Sequence, residues 1–435
     1  MNRLTQDQFR DALRKGFGRA VLHVRDFGAT GLEDDIAHAC TTSLVYDAQC
    51  EGTRGEWLHE IVKLAGLVEM IAPLVVDKLR RSSTPEEFWD VGQLCVLASM
   101  FAQEGHKYSR DVLYDKFDRQ EFSSTWLCGI PIMNVDGLQG FLYIAKVVGN
   151  SLCNEPDYWE DTYLLTEAYE RFGRETVRDA LAAQAKTCES TQKYLDYIQK
   201  VEQQKADRKN QGPRPLESVE TVLATIEAAL DKYPHRLKYW GRRASEGDVA
   251  VVFDRMLTES RPEQLRRYLC VFGLREMPRL APQILELAIR AEGKLLDATI
   301  DALSVFQTTK VRNLGLRMFQ ETPPRLNAIK LFAKNYEPGD FALMESALTM
   351  EGDSDVLHRI GLDLLSVVSE AKAPELAGCL RWLYEYGPCS MCRENAVRYM
   401  VETKTIRQEL IDECHWDCCD DTRELVKTIS TKNNS

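Results

Sequence analysis

The sequence LRRYLCVF at residues 265–272 places apolar side chains at Leu265, Tyr268, Leu269 and Phe272. These positions are i, i+3, i+4 and i+7, the spacing at which side chains share one face of an α-helix. The same spacing recurs in residues 296–303 and 357–368. A helix with one apolar stripe packs that stripe against another element, so this stretch predicts one member of a larger helical array.

The apolar pattern stops and restarts with a nearly constant period. The steps between its leading positions are 31, 30, 31 and 35 residues, and these positions are Leu265, Leu296, Leu326, Leu357 and Cys392. Such a period is typical of stacked helical hairpins, because one hairpin cannot bury its apolar face without neighbours. Second helices are predicted between the leading ones, at residues 284–288, 311–319, 341–348 and 376–384. With no series of alternating strands in the sequence, we predict an all-α fold.

Length and composition limit the class of protein. The 435 residues exceed the size at which a single compact core stops growing. A hydrophobic content of 44% with 28% charged residues is ordinary globular composition. The formal net charge of −12 argues against nonspecific coating of nucleic acid or anionic membrane, while leaving room for a local basic site.

The number of cysteines and the first residues of the sequence indicate the cellular compartment of the protein. Thirteen cysteines are scattered along the chain, an odd number that disfavours a complete disulfide framework. The polar start lacks the apolar core of a secretory signal, and we find no run approaching the roughly 20 apolar residues of a spanning helix. We therefore expect a cytoplasmic protein without a membrane partner.

A polar stretch divides the sequence. Residues 203–213 read QQKADRKNQGP, carry almost nothing to bury, and close on a Gly-Pro pair that ends a helix. We predict an N-terminal helical domain at residues 1–202, a linker at 203–216 and a helical repeat domain at 217–430. Within the first domain we expect residues 126–133, which include Pro131, to form a loop.

Two arginine-led segments resemble the helices of HEAT-like α-solenoids. They read VRNLGLRM at residues 311–318 and CRENAVRYM at residues 392–400. The resemblance covers about residues 217–429, and a related αα-repeat is the alternative because a kink proline is not consistently present. The N-terminal half resembles helical domains joined to such repeats in uncharacterised bacterial proteins. The resemblance implies a surface that binds a protein partner.

A cysteine-rich region near the end of the chain carries a metal-site hypothesis. A Cys-x-x-Cys pair at Cys389 and Cys392 is followed about twenty residues later by CHWDCC at residues 414–419. Thiolates suit Zn²⁺, and a Cys-x-x-Cys pair supplies two ligands from one turn. The hypothesis is a structural zinc site with the ligands Cys389, Cys392, Cys414 and Cys418.

Two other interpretations of these thiols stay open. Cys392 shares a helical face with Ala396, Tyr399 and Met400, which is typical of a thiol packed in a core. A redox-active pair near a helix N-terminus is the other, although the βαβ context of a thioredoxin-like site is absent. We predict no further cofactor.

A basic and aromatic segment supports a second function class. The segment consists of Lys232, Arg236, Lys238, Tyr239, Trp240, Arg242 and Arg243. Its cations would contact phosphates while its aromatic rings stack on bases. The HEAT resemblance includes a family of alkylpurine DNA glycosylases that bind duplex DNA, although its catalytic motif has no match in this chain. The competing interpretation is a solvated helix face with Trp240 in the core.

Catalytic motifs are not found in the sequence. The seven histidines show no HExxH spacing, and neither a GxSxG elbow nor a GxxxxGK[ST] phosphate loop occurs. Gly16 and Gly18 lack the third glycine of a dinucleotide fingerprint, and Gly16 is expected to end the first helix. The polar residues 46–54 are a candidate functional loop or, more simply, a helix connection. An enzyme in the N-terminal domain, around Arg14, Arg19 and residues 46–54, is thus the third hypothesis.

The sequence therefore favours a non-enzymatic scaffold or adaptor whose HEAT-like surface binds a protein partner. The alternative is a nucleic-acid-binding HEAT-like protein, with DNA repair as one role, that uses residues 232–243.

Overall fold

The computed structural model describes residues 2–119, 125–155, 157–210, 215–228, 234–348 and 352–432. Within these ranges the chain forms 25 α-helices, three 3-10 helices and no β-strand. The prediction of an all-α fold is confirmed.

The first part of the chain contains twelve α-helices and one 3-10 helix. They are α1 (Gln6–Lys15), α2 (Gly18–Phe27), α3 (Glu33–Thr41), α4 (Ala48–Glu51), α5 (Gly55–Leu64), α6 (Val68–Arg81), η1 (Pro85–Glu87), α7 (Phe88–Gln103), α8 (Lys107–Arg119), α9 (Trp126–Asn154), α10 (Tyr163–Phe172), α11 (Arg174–Ala185) and α12 (Glu189–Asn210).

The remainder contains thirteen α-helices and two 3-10 helices. They are α13 (Val219–Glu227), α14 (Pro234–Arg243), α15 (Glu246–Thr258), α16 (Pro262–Val271), α17 (Pro282–Arg290), α18 (Gly293–Ser304), α19 (Thr309–Phe319), η2 (Leu326–Phe332), α20 (Asp340–Ala347), α21 (Ser354–Ala371), η3 (Pro374–Leu376), α22 (Ala377–Tyr386), α23 (Ser390–Glu402), α24 (Gln408–Cys414) and α25 (Asp420–Lys432).

These helices form two compact units. The first unit comprises residues 1–212 and 412–435, and the second unit comprises residues 213–411. The division falls inside the segment 203–216 expected to be a linker, but α12 continues to Asn210 because Gln, Lys, Ala and Arg are good helix formers. The structure also differs from the predicted repeat domain at its end, because residues from Asp412 onward belong to the first unit.

Helix α1 shows how local signals set the start of the first unit. The Thr5 hydroxyl accepts from the Gln8 backbone N–H, and the Gln8 side chain accepts from the Thr5 N–H at 2.9 Å, which forms a capping box. The helix ends at Gly16, whose φ of 77° is a left-handed conformation that glycine adopts without a Cβ clash. The prediction that Gly16 ends the first helix is confirmed.

Residues 126–133 are helical, so the prediction of a loop there is wrong. They form the start of α9, in which Pro131 is the sixth residue and its missing N–H removes one helix hydrogen bond, the one to the Leu127 carbonyl. Gly137, with φ 57° and ψ −135°, interrupts the helical geometry further along.

Helix α9 also bears on membrane insertion. Among the residues that the structure describes, it is the one helix long and apolar enough to span a bilayer by length and composition. More than half of its most apolar window is buried, and α9 contacts α7, α8, α10 and α12. Core helices of globular proteins meet the same criterion, so the helix is weak support for a membrane span, and the absence of a membrane partner stays a prediction.

The end of the chain completes the first unit. The Cys418 N–H donates to the Gly16 carbonyl at 3.0 Å, and the Trp57 indole N–H donates to the Trp416 carbonyl at 2.9 Å. Arg19 forms an ion pair with Glu413 at 2.7 Å. These contacts join α1, α2 and α5 to residues about 360 to 400 positions away, which explains why residues 412–432 belong to the first unit.

The helices of the second unit contact one another in two rows. In the first row each element contacts the next, in the order α14, α16, α18, η2, α21 and α23. In the second row, contacts join α13 to α15, α17 to α19 and α20 to α22, and cross-contacts such as α17 with α18 join the rows.

The predicted period matches this arrangement of elements. The five leading positions lie on successive members of the first row: Leu265 on α16, Leu296 on α18, Leu326 on η2, Leu357 on α21 and Cys392 on α23. The four predicted second helices lie on α17, α19, α20 and the η3–α22 segment. The element at Leu326 is a 3-10 helix rather than the expected α-helix.

Gly18 provides a test of the contact that completes the first unit. A Cβ at Gly18 would lie 2.0 Å from the Glu413 carbonyl oxygen, and this oxygen belongs to backbone that cannot rotate away. We expect Gly18→Ala to lower the free energy of unfolding by about 1–3 kcal/mol and to expose residues 412–432 to protease. Urea unfolding and limited proteolysis with mass spectrometry measure both effects.

Gly247→Ala is the matched control, because Gly247 also lies in the first turn of a helix but a Cβ there meets nothing closer than 3.8 Å. Equal stability and equal protease resistance of the two variants would show that the segment does not depend on the approach at Gly18.

Candidate functional sites

Cys389 and Cys392 lie at the N-terminus of α23. Gly387 is the C-cap of α22, and Pro388 follows it, so the chain turns before α23 begins. Cys389 is the N-cap of α23 and Cys392 is its third residue, with exposed fractions of 4% and 6%. The positive end of the helix dipole at such a terminus favours negatively charged groups.

An imidazole on α21 completes a group of three donors. His358 lies in the second turn of α21, which contacts α23 in the first row. A ring nitrogen of His358 and the sulfur atoms of Cys389 and Cys392 all lie within 4.8 Å of one another. Around a tetrahedral Zn²⁺, bonds of about 2.0–2.3 Å place such donor atoms roughly 3.5–3.8 Å apart, so small side-chain movements would suffice for coordination.

The turn that carries Cys389 is held by a buried arginine. Arg393 is 1% exposed, and one of its terminal nitrogens donates to the carbonyls of Gly387 at 3.3 Å and Pro388 at 3.1 Å. These bonds satisfy carbonyl groups where the chain leaves α22 and fix the approach to α23.

The three-donor group contains Cys389 and Cys392 of the ligand set predicted from the sequence. The other two predicted ligands, Cys414 and Cys418, belong to the first unit. In that unit Cys414 is fully buried, and the backbone of Cys418 bonds to Gly16. His358 was missed by the sequence reasoning, although it follows the leading position Leu357 and therefore lies one repeat before Cys392.

A second feature is a set of charged and amide side chains on the first row of the second unit. We call it the charged row, and it consists of Lys238 on α14, Asp297 and Asp301 on α18, Asn327 and Lys330 on η2, and Arg359 and Asp363 on α21.

Asp301 is the centre of the charged row. Its two carboxylate oxygens pair with Lys238 at 2.5 Å and with Lys330, so one residue joins three elements. Asp297 accepts from Asn327 and from Arg359, each at 2.9 Å. These bonds therefore tie α18 to the next element of the first row, η2, and also to α14, which lies two elements before α18.

The carboxyl groups of the charged row differ in proton affinity. Burial disfavours the charged form of Asp301, but Lys330 and Lys238 outweigh it and hold the pKa of Asp301 below its usual value. Asp363 is 4.0 Å from Lys330; burial, with a contribution from the nearby Asp301, raises its pKa to about 7. Asp363 therefore changes charge close to neutral pH.

Several side chains of the basic and aromatic segment contact other residues of the second unit. Trp240 is buried and donates to the Glu217 carbonyl at 2.8 Å, so its ring is a core group rather than a free stacking surface. Arg236 pairs with Glu217, and Lys238 pairs with Asp301.

The remaining residues of that segment are more accessible. Tyr239 is exposed, and the guanidinium group of Arg242 lies over its ring at 5.5 Å. Arg243 is exposed as well, and Lys232 lies outside the described residues.

The N-terminal residues suggested for catalysis also make structural contacts. The Arg54 guanidinium donates to the carbonyls of Leu13 at 3.3 Å and Arg14 at 2.5 Å, at the end of α1. A positive group at this position satisfies helix carbonyls and complements the helix dipole. With Arg19 paired to Glu413, the polar residues 46–54 are best interpreted as a connection that caps α1.

The first unit contains an aromatic-lined pocket of 710 Å³ that the sequence reasoning did not find. Trp159, 73% exposed, and Tyr163 lie on its lining. The carboxylate of Glu160 accepts from Thr125 at 2.7 Å and from Tyr158 at 3.1 Å, and burial raises its pKa. Because this carboxylate is already hydrogen-bonded, it contributes to the local structure.

Comparison of the chain with protein-family models, with curated proteins and with solved structures found no match.

The raised pKa of Asp363 predicts a pH dependence of stability. In the unfolded chain an aspartate has a pKa of about 4, so between about pH 4 and 7 the folded protein holds a proton that the unfolded chain has lost. The contribution of Asp363 to the free energy of unfolding therefore falls as pH rises through this window. Relative to wild type, Asp363→Asn should gain stability with pH, by up to about 1.4 kcal/mol per pH unit.

Urea unfolding of both proteins across this pH range measures that difference. Asp254→Asn, at an exposed position of α15, controls for the loss of one charge. A difference between Asp363→Asn and wild type that does not change with pH would contradict the raised pKa.

Proposed function

We propose that the second unit is a HEAT-like αα-repeat segment and that the protein acts as a cytoplasmic scaffold or adaptor for a protein partner. The observation that carries the proposal is the match between the period of the leading positions and the first row of contacting elements. Stacked repeats present long continuous surfaces to partners, because each repeat adds the same face to the array.

The charged row is the candidate recognition surface. Helix α21 carries Arg359, Leu362, Asp363 and Ser366 at i, i+3, i+4 and i+7, so these side chains share one face. Leu362 is 47% exposed beside the ion pairs of this face. An exposed apolar side chain among charged groups offers both burial and directional bonds to a protein segment.

Nucleic-acid binding is the alternative, and it has less support. Two of its proposed cations, Arg236 and Lys238, pair with carboxylates, which reduces their attraction for phosphate. Trp240 would have to leave the core to stack on a base. Tyr239, Arg242 and Arg243 remain as the accessible part of that surface.

The test is affinity purification of the full chain from its native host at moderate salt, with proteins identified by mass spectrometry. We expect a stoichiometric protein partner with wild type, reduced at least tenfold by Leu362→Asp because the substitution places a charge in the apolar contact. Leu343→Asp on α20 is the matched control, since Leu343 is 40% exposed and lies on the second row.

One outcome would contradict the proposed recognition surface, and another would contradict the scaffold proposal. The first is a partner retained equally by Leu362→Asp and Leu343→Asp, which would rule out α21 as the contact surface. The other is nuclease-sensitive nucleic acid without a protein partner, lost when Arg242 and Arg243 are changed to glutamate, which would establish the alternative.

A further inference from the structure

We propose that His358, Cys389 and Cys392 bind one Zn²⁺ ion within the second unit. This ligand set differs from the four cysteines suggested by the sequence, and it requires neither Cys414 nor Cys418. The proposal does not depend on the function of the charged row.

The first argument is the chemistry of the donors. Two thiolates and an imidazole are ligands that Zn²⁺ prefers, and a Cys-x-x-Cys turn entering a helix commonly supplies two of them. Both thiols are buried and His358 is half-buried, and the three donor atoms lie within 4.8 Å of one another. The fourth position would hold a water molecule or a small donor from solution.

The second argument is a comparison with the other buried cysteines. Cys95 and Cys128 place their sulfur atoms 2.9 Å apart in the first unit, and the three-donor group found among the described residues does not include them. Burial raises the pKa of Cys95 well above its usual value, and burial raises that of Cys379 to about 12. Those thiols are stable as neutral core groups, whereas Cys389 and Cys392 have a ring nitrogen of His358 within 4.8 Å of their sulfur atoms.

Binding would proceed by exchange of protons for metal. The two thiols each lose a proton, neutral His358 uses a ring nitrogen lone pair, and one water stays on the ion. The product is a neutral bis-thiolate zinc site, and two protons are released to solvent. No oxidant or reductant takes part in this step.

The site would also fasten two repeats. His358 lies on α21 and both cysteines lie at the start of α23, so one ion would link consecutive members of the first row. Metal binding should therefore protect backbone amides at the α21–α23 contact from hydrogen exchange, because the bound ion stabilises only the folded arrangement.

The experiment uses full-length protein prepared without an affinity tag that binds metal. Elemental analysis should find about one zinc per chain. Replacement by Co²⁺ should give a thiolate-to-metal charge-transfer band and the visible absorption of a four-coordinate ion. Cys389→Ser, Cys392→Ser and His358→Gln should each weaken Co²⁺ binding at least tenfold.

Two controls separate this site from other thiols. Cys379→Ser removes a buried cysteine of α22 in the same unit, and Cys414→Ser removes a ligand of the sequence-based set. Both should bind Co²⁺ as wild type does. Loss of the metal with Cys414→Ser would overturn the three-residue ligand set.

Measurements on the wild-type protein test the site even where a ligand variant fails to fold. Chelator-treated wild type should take up Zn²⁺ with release of about two protons, and hydrogen exchange should slow in peptides from α21 and α23. Fully reduced, folded protein that takes up no metal would overturn the proposal, as would a Cys389–Cys392 disulfide trapped directly from cells.

Discussion

Helices in the second unit bury their apolar faces against neighbouring helices of that unit, and the other features of the unit depend on this requirement. A hairpin such as α17–α18 has too little surface to form a core alone, so its apolar side chains are satisfied by the elements before and after it. Because these contacts follow one another at a similar spacing along the chain, polar residues beside the apolar stripe of one helix lie close to polar residues of neighbouring helices. The charged row and the three-donor group are both consequences of this alignment.

This stacking explains why the polar contacts of the second unit link different helices. Asp301 on α18 pairs with Lys330 on η2, the next element of the first row, and with Lys238 on α14, two elements before α18. The same stacking places His358 beside Cys389 and Cys392. Asp363, at the edge of this network, has one distant lysine neighbour and is buried, so its carboxyl group retains a proton more readily than Asp301.

The first unit depends on a different constraint, the close approach of backbone segments. Gly18 lets the carbonyl of Glu413 come nearer than any side chain would permit, and Gly16 accepts from the N–H of Cys418. Residues that suggested a glycine-rich loop from sequence therefore serve packing. Arg54 has a comparable role, since its guanidinium satisfies the last carbonyls of α1.

The sequence by itself determined the all-α class, the period of the leading positions and the ends of helices such as α1, because apolar spacing and capping residues act locally. It also suggested Cys389 and Cys392 as a pair of neighbouring donors, since their spacing within one turn is a local property. Only the tertiary structure decided that a ring nitrogen of His358 lies near their sulfur atoms, that Trp240 is buried and that residues 412–432 belong to the first unit. These outcomes depend on contacts between segments distant in the chain, and the spacing of apolar residues along one helix does not specify which distant side chains meet its polar edge.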